Sequence, residues 1–88
     1  MEYKYKTQGT CSSYIFFDID EDKCLHNVRF VGGCDGNLKS IGRLVEGQNA
    51  EKISGMLSGV RCGFKNTSCG DQLSHAIRQA LAESESQA

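Results

Sequence analysis

Apolar and polar positions alternate along the first third of the chain and then change to a helical period, which predicts strands followed by helices. Tyr3-Lys4-Tyr5-Lys6 alternates aromatic and charged residues and reads as a first strand. From Ser13 to Ile19 the residues Ile15, Phe17 and Ile19 fall on one face. Asp20-Glu21-Asp22-Lys23 is a polar turn, and a further strand from Cys24 to Val31 sets Val28 and Phe30 on one face. Pairing Ile19 with Cys24 across the turn places Phe17 opposite His26, Ile15 opposite Val28 and Ser13 opposite Phe30. The apolar faces agree in that register, and a slip of one residue would break the match. His26 then shares a face with Phe17 and Val28 and is expected to line the core.

Three helical stripes follow. Leu38, Ile41, Leu44 and Val45 precede the stop Gly47; Ile53, Met56, Leu57 and Val60 are bounded by Gly59; Leu73, Ala76, Ile77, Ala80 and Leu81 make the clearest. His75 lies opposite the last stripe, near Arg78 and Gln79, and is expected in solvent. Gly55 and Gly59, four apart, suggest close helix packing. The expected fold is α+β: a small antiparallel β-meander or hairpin followed by three short helices, one domain over 1–83 with a frayed polar tail over 84–88.

Charge narrows the function. Ten basic and eleven acidic residues give a net charge of −1, and Lys and Arg are scattered without a run. No nucleic-acid footprint is visible, so polyanion binding is disfavoured. The longest apolar run, Tyr14-Ile15-Phe16-Phe17, cannot cross a bilayer, and no signal-peptide stretch opens the chain. A cytoplasmic protein with reduced thiols is expected. The cysteine count of five is odd, so complete disulfide pairing within the chain is impossible.

The cysteines carry the candidate chemistry. In the expected register Cys11 lies opposite Gly32 and diagonal to Cys34 at the hairpin's open end, where such neighbours are ~5–7 Å apart. Cys24 sits at the closed end, roughly 25 Å away by strand rise, and cannot join them. Cys34-Asp35-Gly36-Asn37-Leu38 and Cys69-Gly70-Asp71-Gln72-Leu73 both place a cysteine at the mouth of a helix, where free N–H groups favour a thiolate. Ser68 and Asp71 fit a capping box. Cys62 precedes Cys69 by a loop longer than a zinc knuckle's spacer. Thiolates serve a metal and a nucleophile alike. The residues therefore leave open a four-thiolate zinc site on Cys11, Cys34, Cys62 and Cys69, an iron–sulfur cluster on the same ligands, a redox pair of Cys62 and Cys69, or inert cysteines that pack like small hydrophobes. A structural zinc would suit so small a core. Gly32-Gly33 with Gly36-Asn37 forms a glycine-rich approach to a helix; it lacks the lysine of a P-loop, and a tight turn explains it better than a phosphate cradle.

Thr67-Ser68-Cys69-Gly70-Asp71, together with Val31-Gly32-Gly33-Cys34-Asp35-Gly36-Asn37-Leu38, resembles the TSCPD domain over nearly the whole chain. The likeness is to the small stand-alone branch marked by four cysteines, which match Cys11, Cys34, Cys62 and Cys69. The domain also ends adenosylcobalamin-dependent ribonucleotide reductases, so the resemblance implies a metal-bound accessory module, or a thiol or nucleotide handler, for such a larger enzyme. It implies no catalysis by 88 residues alone, which have no room for that enzyme's barrel or radical generator. Gly70 replaces the motif's proline, which loosens the helix start and adds an N–H within reach of the Cys69 sulfur. No membrane partner is implied, and either a monomer or a homodimer is compatible.

Overall fold

The hairpin turn decides how this protein's sheet is aligned. The computed structural model describes residues 2–9, 12–32, 35–60 and 67–87, with backbone alone at 35–37 and 84–87. Its elements are β1 (Glu2–Lys6), β2 (Ser12–Ile19), β3 (Leu25–Gly32), α1 (Asp35–Val45), α2 (Ala50–Leu57) and α3 (Cys69–Gln87). The strands form one antiparallel meander in the order β1-β2-β3. The architecture is α+β, as the alternation and the helical periods predict.

The register differs from the expected one. Ile19 pairs with Leu25 rather than Cys24, Asp18 with His26, Phe16 with Arg29 and Ile15 with Phe30. The cause is local. Lys23 is left-handed (φ 65°) and its N–H bonds back to the Asp20 carbonyl, while the Asp20 N–H bonds the Cys24 carbonyl. Residues 21–23 thus form a three-residue loop closed by a left-handed residue, a common hairpin solution that alternation alone does not reveal. Further along, Asn27 (φ 56°) and Val28 together oppose Phe17. This bulge restores the apolar face, because Leu25 and Val28 both become buried. It also turns His26 out, so His26 does not line the core; its side chain is 42% exposed.

The helices lie on one face of the sheet. Helix α1 packs on β3, α3 lies beneath β1 and β2, and α2 packs on α3. Ile15, Phe17, Leu25, Leu73 and Ile77 are fully enclosed between them. Two expected stripe members are outside: Leu44 is 77% and Met56 65% exposed. The packed stripe on each of these short helices is narrow, Leu38, Ile41 and Val45 on α1 and Ile53 and Leu57 on α2. Val60 lies beyond the end of α2 and is also exposed. The link between α1 and α2 forms a short extra rung that the periodicity does not signal. Gly47 and Gln48 exchange backbone hydrogen bonds with Leu25, and Asn49 bridges to Cys24, which covers part of the β3 edge.

The close-approach glycine is Gly42. A Cβ there would lie 2.6 Å from the Val28 carbonyl oxygen, so α1 sits on β3 only because this position has no side chain. At Gly55 a Cβ meets nothing, and Gly59 is kept by its φ of 83°, so neither glycine serves helix packing. Gly42→Ala is expected to cost about 1–3 kcal/mol, as overpacking against backbone does. Gly55→Ala should instead raise stability by about 0.5–1 kcal/mol through helix propensity. Thermal melts of the two variants should move in opposite directions; a shared direction would contradict the α1–β3 contact.

Candidate functional site

The start of α3 gathers polar side chains from three parts of the chain. Ser68 caps the helix: its Oγ accepts the Asp71 N–H at 3.0 Å and its carbonyl accepts the Gln72 N–H at 2.8 Å. The second half of the expected capping box is used differently. The Asp71 carboxylate accepts the Gly59 N–H at 2.7 Å and the Thr67 hydroxyl at 2.5 Å, tying the end of the α2 segment to α3. His75, one turn on and exposed as expected, lies 3.3 Å from the same carboxylate. Asp71 is buried, and its pKa is pushed below the usual carboxylate range, first by the Thr67 hydroxyl and then by the Gly59 N–H, against the opposing effect of burial. Gln72, also buried, accepts the Gln8 N–H at 3.0 Å and donates to Thr67 Oγ1 at 3.0 Å. Thr7 donates its hydroxyl to the Ser12 carbonyl, and its N–H to Ser13. The connection between β1 and β2 is thereby fastened to the α3 start.

Cys69 is the first residue of α3, and its Sγ lies 3.2 Å from Ser12 Oγ. Ser12 is buried at the open end of the hairpin, paired with Gly32. Cys24 is at the closed end, bridged to Asn49, and its Sγ faces the Asp22 carbonyl. Desolvation, reinforced by the negative charges of Asp20 and Asp22, raises the Cys24 thiol's pKa. Cys11, Cys34 and Cys62 lie outside the described residues. Among the described residues, no group of three or more His, Cys, Asp or Glu side chains is placed to hold a metal. Of the glycine-rich segment from Gly32 to Asn37, Gly33 and Cys34 lie outside the described residues, and 35–37 are described by backbone alone.

The profile of the TSCPD domain matches residues 1–81 of the 88. The chain belongs to the TSCPD domain family. No curated protein and no solved structure matches it. Four of the five residues at the family's signature position, Thr67 to Asp71, have a structural task in this TSCPD domain. Thr67 donates to Asp71, Ser68 caps, Cys69 faces Ser12, and Asp71 holds Gly59. Gly70, at the position of the signature's proline, occupies the second position of the helix, where the N–H has no intrahelical partner. A Cβ there would meet Leu57 at an ordinary 3.5 Å, so space does not require glycine. No helix is long and apolar enough to cross a membrane among the described residues.

A second cluster, at the closed end, was not foreseen from the sequence because it depends on the bulge. His26 lies between two carboxylates, Nε2 at 2.6 Å from Asp20 and Nδ1 at 2.7 Å from Glu46. The Asp20 hydrogen bond, followed by that of Glu46, raises the His26 pKa. A raised folded-state pKa means the cluster's contribution is fully present below the unfolded value of about 6.5 and is lost as pH rises through the folded one. An NMR titration should place the His26 midpoint above about 6.5, and His26→Gln should flatten the pH dependence of stability across that window. A midpoint at or below the unfolded value would show that the two carboxylates do not hold the proton.

Proposed function

We propose that this protein is a small thiolate module in which Cys11, Cys34, Cys62 and Cys69 bind one structural zinc, serving as an accessory domain rather than as an enzyme by itself. The observation that supports it is the position of Cys69. Its sulfur, on the first residue of α3, lies 3.2 Å from the Oγ of Ser12, the residue that follows Cys11. Ser12 is in turn paired with Gly32, two residues before Cys34. Ser12 and Gly32 are the described residues that stand one and two positions from Cys11 and Cys34 in the sequence, which supports grouping those two cysteines with Cys69. The donor chemistry suits zinc, which takes four thiolates in a closed tetrahedral shell. Bound there, zinc would contribute folding free energy and leave no open position for a substrate. Cys69 would supply one ligand, with Ser12 Oγ as a hydroxyl donor to its sulfur. The family resemblance is what supports, as part of this proposal, a partner among larger enzymes of ribonucleotide reduction.

The test is elemental analysis of untagged protein purified without chelator, paired with thiol titration under native conditions. One zinc per chain, with Cys24 alone titrating and doing so slowly because of its raised pKa, supports the reading. No metal and several rapidly alkylated thiols would overturn it in favour of a dithiol relay between Cys62 and Cys69. Visible absorbance would reveal an iron–sulfur cluster on the same ligands.

A further inference from the structure

The sheet has a second face, and the meander loads it unevenly. Tyr3, Tyr5, Ile15 and Phe17 point to the helices, so the alternate residues point away, where no described element packs. The pairing of all three strands sorts those outward residues into cross-strand rows. One row is Lys4–Phe16–Arg29 and the next is Lys6–Tyr14–Val31. Neither contains an acid. The face's acidic residues, Glu2 and Asp18, are confined to the row that ends in His26. In a chain of net charge −1, three cations scattered over 26 sequence positions are thus collected around two aromatic rings.

The rings are half-buried and 6.5 Å apart by centroid. Lys4 Nζ lies 4.5 Å from the Tyr14 ring and 5.8 Å from that of Phe16, and the Arg29 guanidinium lies 5.1 Å from Phe16. Val31, beside Tyr14, is 47% exposed. We infer that this open sheet face binds single-stranded nucleic acid, with unpaired bases stacking on Tyr14 and Phe16 and phosphates meeting Lys4, Lys6 and Arg29. Sheets that present aromatic rings on an uncovered face stack unpaired bases in this way, and an Arg plane over a ring can sandwich a base between them. A duplex keeps its base faces stacked internally and cannot use the rings. An acidic peptide could use the cations but gains nothing from two adjacent π faces. Arg29 also pairs with Glu2 at 2.8 Å, so phosphate binding exchanges one anion for another at that position.

The experiment is fluorescence anisotropy of a labelled oligothymidine or oligouridine of about ten nucleotides, within the span of small single-strand sites. The unlabelled duplex of equal length and an oligoglutamate peptide serve as competitors. The expected result is saturable single-strand binding that neither competitor displaces. Its salt slope should be about −2, near 0.7 for each of three phosphate contacts. Tyr14→Ala and Phe16→Ala should each weaken binding roughly tenfold. Because removing a half-buried ring can disturb folding, the exposed pair Lys4→Gln and Lys6→Gln provides an independent arm: it should lower the slope by about 1.4 while melting as the wild type does. Absence of binding at low salt, equal binding of the duplex, displacement by oligoglutamate, or full affinity in folded ring variants would each overturn the inference.

Discussion

Asp71→Ala is expected to lower stability by about 2–4 kcal/mol, the loss of two hydrogen bonds to one buried charge. Asp71 is 6% exposed and joins Gly59, Thr67 and His75 at one carboxylate. Alanine would remove the acceptor and leave the partly buried Gly59 N–H and Thr67 hydroxyl without it, which is the costly way to break a hydrogen bond. In a domain of this size the melting temperature should fall on the order of 10–20 °C. Asp71→Asn keeps one carbonyl oxygen for the Gly59 N–H and loses the charge, so its melt should lie between alanine and wild type. The order wild type, Asn, Ala is the prediction. Alanine and asparagine variants that both melt with the wild type would show that the signature aspartate is not a structural tie.

The helices were legible in the sequence because their apolar spacing reports burial directly: Leu73, Ile77 and Ala80 lie where the period of α3 places them. The strands were legible as elements but not as a register. Alternation is blind to Lys23 and Asn27, whose left-handed backbones shift the pairing and insert a bulge, and non-glycine residues in that region carry no pattern that hydrophobicity could expose. The misreading of His26 follows from the same bulge. Two expected stripe residues, Leu44 and Met56, are in solvent because periodicity counts apolar residues without knowing how many neighbours a helix has. At the site, the Ser68 cap was readable from spacing, since an N-cap acts within four residues. The bonds from Asp71 to Gly59, from Gln72 to Gln8 and from Cys69 to Ser12 were not, because they join residues between 12 and 64 positions apart. The cations of the outer sheet face were invisible for a related reason: only strand pairing makes Lys4 and Arg29 neighbours of one ring.

Cys69→Ala and Cys24→Ala should differ more than any other pair of like substitutions in this chain. Structural zinc in small four-ligand sites contributes about 10–16 kcal/mol at neutral pH, which equals or exceeds the ~5–15 kcal/mol by which whole domains are stable. Under the proposed function, losing one thiolate ligand therefore removes most of the folded population, whereas Cys24, at the other end of the sheet with its sulfur on a surface carbonyl, has little to lose. Circular dichroism melts should show a cooperative transition for Cys24→Ala near the wild-type temperature and none, or one far lower, for Cys69→Ala. The missing hydroxyl contact to Ser12 cannot by itself produce that gap, since a single neutral hydrogen bond contributes only about 0.5–1.5 kcal/mol. Chelator supplies the independent arm. Incubating the wild type with a strong zinc chelator should reproduce the Cys69→Ala melt, and restoring zinc should reverse it. If the wild type melts unchanged in chelator while Cys69→Ala is modestly weakened, the contact with Ser12 accounts for everything and the metal reading fails.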